Sequence, residues 1–131
     1  MIRILRTPTL GIVVLLGVTA IAAAAVSANR PPKFLPGSVT VTWNNDYDII
    51  YGVPKITAQT AKIKLARGAT DPDGHRLTYR WTATNGKISG RGLRATWVRV
   101  VPAPDQIKPG VVTVTALDGH GGRAQRKIVF K

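Results

Sequence analysis

Five side chains that could bind a cation fall in two short segments of the chain. Asp71, Asp73 and His75 stand within five residues of one another, and Asp118 and His120 are separated by one glycine. Carboxylates are the hard oxygen ligands that Ca²⁺ prefers, whereas a set that mixes carboxylate with imidazole suits Zn²⁺. The alternative is that the aspartates accept hydrogen bonds from backbone N–H groups in turns, and that the histidines are solvated.

Composition limits the other chemistry that the chain can perform. The 131 residues include no cysteine and no glutamate, and 19 basic residues against 6 acidic ones give a formal net charge of +13. Without cysteine there is no disulfide, thiolate zinc site, iron–sulfur cluster or cysteine nucleophile. The sequence also contains no G-x-S-x-G elbow, phosphate-binding loop or HExxH helix. We therefore expect a protein that is not an enzyme, with no catalytic residues.

The N-terminal residues 1–28 are predicted to direct the chain out of the cytoplasm. Arg3 and Arg6 precede an uncharged apolar run over residues 10–28, which is expected to be helical. A basic start, an apolar run and small residues at its end are typical of a secretory signal, here with cleavage after Ala28. Nineteen residues at a rise of about 1.5 Å are also just long enough for an uncleaved membrane anchor. Residues 29–37 are rich in proline and are predicted to be a stiff linker.

Residues 38–131 alternate between apolar and polar side chains with a period of two. Seven runs are short, rich in β-branched and aromatic residues and bounded by turn residues: 38–43, 49–53, 62–65, 77–82, 95–101, 111–116 and 126–130. Asp71-Pro72-Asp73-Gly74 favours a type I turn, and Asn85-Gly86 is typical of a tight hairpin. About seven strands at this spacing predict an all-β, antiparallel two-sheet sandwich. The expected core consists of Ile63, Leu65, Leu77, Tyr79, Trp81, Val112, Val114 and Ile128, with Trp97.

A family resemblance supports the same fold. ATDPDGHRLTYRW over residues 69–81 and GVVTVTALDGHGG over residues 110–122 resemble the bacterial immunoglobulin-like repeats related to PKD and cadherin-like domains. The resemblance implies an immunoglobulin-like sandwich in which both acidic loops lie at one end. It further implies a weak Ca²⁺ site formed by Asp71, Asp73 and Asp118. His75 stands where the family often has another Asp, and the basic surface differs from many acidic relatives.

Basic side chains on the outward phase of the predicted strands suggest a second kind of site. A cationic sheet face is expected from Lys62, Lys64, Arg80, Arg126 and Lys127. Such a face would attract polyanions in a salt-dependent way. Trp43, Tyr47 and Tyr51 lie in segment 38–56, which is longer than such repeats require. There they either contact a sugar or protein partner or simply pack.

These features lead to two expected functions. The first is an exported, non-catalytic interaction or spacer module that displays an immunoglobulin-like domain to a protein or carbohydrate partner at the cell envelope. The second is a polyanion-binding protein whose basic sheet face contacts a wall polymer, an anionic lipid or a nucleic acid. No cofactor is expected beyond weakly bound calcium. The chain would contact a membrane only through residues 10–28, if they are not cleaved.

Overall fold

The computed structural model describes residues 28–101 and 107–131, and all of their regular secondary structure is β. The nine strands are β1 (Lys33–Phe34), β2 (Val39–Ile50), β3 (Val53–Leu65), β4 (Ala69–Thr70), β5 (Thr78–Ala83), β6 (Lys87–Arg91), β7 (Arg94–Val100), β8 (Gly110–Leu117) and β9 (Arg123–Phe130). The described residues include no helix that could traverse a lipid bilayer. The predicted signal or anchor and its helix lie outside the described residues, except for Ala28.

Two larger sheets and one short pair of strands make up the fold, and every pairing among them is antiparallel. The four-stranded sheet has the order β2-β3-β7-β6, and the three-stranded sheet has the order β5-β8-β9. Strands β1 and β4 form a separate two-stranded pair. The prediction of an all-β, sandwich-like antiparallel fold is confirmed. The seven predicted runs do not match the seven main strands one to one, because run 38–43 and the start of run 49–53 both belong to β2, and β6 falls in none of the runs.

The two larger sheets share one core, built around Trp97 of β7 and Trp81 of β5. The buried cluster comprises Ala61, Ile63, Leu65, Ala95 and Trp97 from the four-stranded sheet and Trp81, Val112, Val114 and Phe130 from the other. Tyr79 and Ile128 are half-buried against this cluster, whereas Leu77 precedes β5 and is not part of it. Gly90 leaves room for Trp81, because a Cβ at this position would lie 2.6 Å from the indole Cδ1.

The β2–β3 hairpin accounts for the unusual length of segment 38–56. Its strands pair from Val39 with Leu65 out to Ile50 with Val53, and a register shift follows Asp46. β7 pairs with β3 only over residues 58–64, so the outer part of the hairpin extends beyond the rest of the sheet. Tyr51 and Gly52 form its turn with φ of 54° and 76°, as a type I′ turn requires.

Asn85-Gly86 forms a turn, but this turn does not join two paired strands. Asn85 has a φ of 54°, and its side chain donates a hydrogen bond to the Pro109 carbonyl at 2.7 Å. The strand before it, β5, pairs with β8, and the strand after it, β6, pairs with β7. The turn therefore carries the chain from one sheet to the other, which corrects the hairpin prediction.

Residues 29–37 are bound to the sheets and do not stand apart as a spacer would. Strand β1 pairs with β4, and the Leu35 N–H donates to the Gly68 carbonyl at 3.0 Å. The Arg126 guanidinium donates to the Gly37 carbonyl at 2.7 Å. Proline restricts the backbone dihedrals of a segment but does not determine whether the segment pairs with a sheet. The proline content of residues 29–37 therefore could not predict these hydrogen bonds.

Candidate functional site

The two acidic loops and the start of the described chain meet at one end of the fold. The first loop is a turn, because the Gly74 N–H donates to the Asp71 carbonyl at 3.1 Å. The Asp71 carboxylate lies beneath this turn, and its Oδ1 accepts hydrogen bonds from the backbone N–H groups of Asp73 at 2.8 Å and His75 at 3.3 Å. The side chain of Asp71 is only 1% exposed. Asp71 therefore accepts backbone hydrogen bonds within its turn, as the alternative to a metal site predicted.

Asp118 occupies the corresponding position in the loop between β8 and β9. Its Oδ1 accepts the backbone N–H groups of His120 at 2.7 Å and Gly122 at 2.9 Å. Its Oδ2 accepts the side-chain amide of Asn29 at 2.7 Å, and the residue is 2% exposed. These donors favour the ionised form, so the pKa of Asp118 lies below its usual value, chiefly because of the Asn29 hydrogen bond.

Two imidazoles complete this group of side chains. The rings of His75 and His120 stack with centroids 3.8 Å apart and planes at 18°. His75 Nδ1 lies 3.4 Å from Asp71 Oδ1. One ligand atom each from Asp71, His75 and Asp118 all lie within 4.8 Å of one another. We call Asp71, His75, Asp118 and His120 the loop cluster.

Asp73 binds Arg30 and is not one of the three grouped ligands. Its Oδ2 accepts the Arg30 backbone N–H at 2.7 Å, and its Oδ1 accepts the Arg30 Nε at 2.8 Å. These bonds, the backbone one first, lower the pKa of Asp73. Of the three predicted ligands, the structure thus brings Asp71 and Asp118 together, with His75 in the third position. Sequence reasoning missed Asn29 and Arg30, which lie in the predicted linker and are some 40 to 90 residues from their partners.

The five basic residues predicted to form one cationic face lie on both sheets. Lys62 and Lys64 are exposed on the outer side of the four-stranded sheet. Arg80 and Lys127 are exposed on the outer side of the three-stranded sheet, on the opposite surface. Arg126 lies on the opposite side of β9 from Lys127, and its guanidinium donates a hydrogen bond to the Gly37 carbonyl. Alternation alone could assign a phase to each residue, but not the sheet to which its strand belongs.

A different grouping of cations appears on the outer side of the four-stranded sheet. Register places Lys64 opposite Arg94, and Arg94 opposite Arg91, so that three cations on adjacent strands form one row. The next row contains Thr42, Lys62, Thr96 and Ser89. We call Lys62, Lys64, Arg91 and Arg94 the basic face. It lines an open concavity of about 690 Å³, and within the described residues none of its four cations makes an ion pair.

The outer part of the β2–β3 hairpin exposes apolar and aromatic side chains. Tyr47 is 62% exposed and Tyr51 is 98% exposed, with Ile49 and Val53 also in solvent. Trp43 differs from these residues, since its ring packs edge-on against Phe130 at 4.9 Å and Trp97 at 6.2 Å. Trp43 therefore packs against the edge of the core, although it is 42% exposed, and it is not part of the exposed tip.

Comparison with known proteins adds no further constraint. No family model, curated protein or solved structure matches this chain. The resemblance to PKD-like repeats stays a prediction.

Proposed function

We propose that this chain is an exported, non-catalytic binding module with an immunoglobulin-like sandwich, and that its basic face binds a linear anionic polymer of the cell envelope. The observation that carries this proposal is the cross-strand row of Lys64, Arg94 and Arg91. The export component is supported by Arg3, Arg6 and the uncharged run over residues 10–28.

The strand orders support the immunoglobulin-like part of the proposal. In such sandwiches the first, second, fifth and fourth main strands form one sheet, and the third, sixth and seventh form the other. With β1 and β4 set aside, the orders β2-β3-β7-β6 and β5-β8-β9 have this arrangement. Trp81 on β5 corresponds to the buried tryptophan of the third main strand, and it is buried here.

Electrostatics explains why such a row of cations favours an anionic ligand. Like charges directly opposite one another on adjacent strands are destabilising. Neighbouring strands lie about 4.8 Å apart, so three cationic side chains share a width of roughly 10 Å. An anionic polymer laid across the row would relieve this repulsion and release its own counterions. Thr40, Thr42 and Ser89 beside the row supply hydroxyl donors to the same ligand.

A variant with three substitutions tests this assignment. In the full chain, Lys64→Gln, Arg91→Gln and Arg94→Gln together remove three charges from the basic face. At about 1 kcal/mol per cation beside an anionic surface, binding to a polyphosphate probe at low salt should weaken on the order of 100-fold. The measurement is fluorescence anisotropy of the labelled probe.

The opposite surface provides a control of equal charge. Arg80, Arg123 and Lys127 are all exposed on the outer side of the three-stranded sheet. Their combined replacement by Gln should reduce binding far less than the replacement of the basic-face row. Equal losses in the two variants would show that net charge alone attracts the probe, and would contradict a role for the basic face.

The exposed hairpin tip favours a second candidate, a protein-interaction module. Tyr47, Ile49 and Tyr51 form an apolar surface of the kind that interfaces bury. β2 spans 12 residues, which places this tip about 36 Å along the strand from Val39 and away from the start of the described chain. Binding through this tip would be insensitive to the basic-face substitutions and only weakly dependent on salt.

A further inference from the structure

The loop cluster buries two carboxylates whose charges are only partly compensated. The Asp71 side chain is 1% exposed, and Asp118 is 2% exposed. Buried charges are normally paired, fully hydrogen-bonded or bound to a metal. Both oxygens of Asp118 accept hydrogen bonds, but Asp71 Oδ2 has no partner among the described residues, and neither does the buried Nδ1 of His75.

Among the described residues, no arginine or lysine supplies the missing positive charge. Arg30 lies at this end of the fold, but its Nε is 2.8 Å from Asp73 Oδ1 and forms an ion pair with that carboxylate. Within the described residues, neither Asp71 nor Asp118 pairs with any lysine or arginine, including Arg76 and Arg123 of the same loops. The unpartnered Asp71 oxygen therefore has no lysine or arginine partner within the described residues, and the same carboxylate lies beside the His75 imidazole.

We propose that Asp71, His75 and Asp118 bind one divalent transition-metal ion, with water completing its coordination. Metal–ligand bonds of about 2.0–2.1 Å in a tetrahedral site separate the ligand atoms by roughly 3.4 Å. The distance from His75 Nδ1 to Asp71 Oδ1 is 3.4 Å, and Asp118 offers its ligand atom within 4.8 Å of both. Imidazole is a ligand for zinc, copper, iron and nickel rather than for calcium. The proposed site therefore differs in its metal from an all-oxygen calcium site of Asp71, Asp73 and Asp118.

The surroundings hold the three ligands in place. Backbone N–H groups of both loops fix the Asp71 and Asp118 carboxylates, and the Asn29 amide fixes Asp118 Oδ2. The His120 ring stacks on His75 and limits the orientations of its imidazole. Such supporting contacts are what tune the affinity of a metal site. The His75 side chain is 28% exposed and borders a groove between Arg30 and His120, so an ion can enter from solvent.

Thermal unfolding of the full chain, stripped with a chelator, tests the proposal with Zn²⁺ alone as the probe. At one hundred times the dissociation constant, Zn²⁺ should raise the Tm on the order of 10 °C. His75→Ala should abolish this rise while retaining the His75 backbone N–H that caps the turn. Asp71→Asn should abolish it too, because an amide oxygen can keep the turn's hydrogen bonds but carries no charge.

Asp73→Asn is the matched control, since it removes the same charge from the same loop. It removes the ion pair with Arg30 and so should lower the Tm without metal, but it should leave the Zn²⁺-dependent rise intact. Because the chain contains only two histidines, NMR can also show whether Zn²⁺ perturbs the His75 imidazole directly. No rise with Zn²⁺, a rise that persists in His75→Ala, or a rise with Ca²⁺ that requires Asp73 would each overturn the proposal.

Discussion

Hydrogen bonds determine how the aspartate side chains of the two loops are oriented. Asp118 is buried, and one side-chain amide and two backbone N–H groups converge on it and favour its ionised form. Asp73, two residues from Asp71, is instead exposed and bound to Arg30. The expected immunoglobulin-like sandwich puts the loops of Asp71 and Asp118 at one end, and the two carboxylates do lie close together. The residue types and their spacing could not show which carboxylates are held inside the cluster. This depends on the hydrogen bonds that Asn29 and Arg30 donate to Asp118 and Asp73.

Acid stability should reveal the Asn29 contact with Asp118. The pKa of Asp118 is lowered from 3.8 in the folded chain, so its contribution to stability is present above that pH and is lost as the pH falls through the folded value. Asn29→Ala should lower the Tm at pH 7 by roughly 5 °C, because one hydrogen bond to a buried carboxylate is removed. It should also reduce the further loss of Tm below about pH 4.

The measurement is the Tm as a function of pH from 2 to 7. Asn44→Ala is the control, since Asn44 is exposed on β2 and makes no side-chain hydrogen bond within the described residues. An Asn29→Ala variant with the acid dependence of the native chain would show that the amide does not stabilise the carboxylate.

At the scale of strands, alternation predicted most of the elements but not their partners. The runs around Trp81, Trp97 and Val114 are strands with the predicted inward residues. Asn85 has the positive φ that the tight-hairpin prediction requires, but Gly86 does not, and the flanking strands enter different sheets. Pairing is decided by contacts between distant segments, which a period-two pattern does not contain. The same limit explains why the length of the β2–β3 hairpin was not predicted.

Gly90 provides a test of how the two sheets fit together. A side chain there would lie 2.6–2.8 Å from the Trp81 indole and the Ala95 methyl group. Gly90→Val should destabilise the fold by about 1–3 kcal/mol, because the inserted methyl groups overpack the core. Ser89→Val is the control, since Ser89 has the outward phase of the same strand. Denaturant unfolding in which both variants match the native chain would contradict this contact between the sheets.

The charge of the whole molecule is distributed unevenly. Five of the six acidic residues lie in two regions: Asp46 and Asp48 on the hairpin, and Asp71, Asp73 and Asp118 at the loops. The basic face lies between these regions, and its surroundings on β3, β6 and β7 contain no acidic residue. A net charge of +13 attracts any polyanion at long range, so a charge count alone cannot distinguish general attraction from a defined binding surface.

The dependence of affinity on salt distinguishes general attraction from binding through the basic face. The dissociation constant for polyphosphate would be measured across a range of salt concentrations, for the full chain and for the Lys64→Gln, Arg91→Gln, Arg94→Gln variant. Each cation that contacts a phosphate contributes about 0.7–0.9 to the slope of log K against log salt. We predict that the slope of the variant is smaller in magnitude by roughly 2–3, whereas the matched variant of the opposite surface retains the native slope. Native slopes in both variants would contradict binding through the basic face.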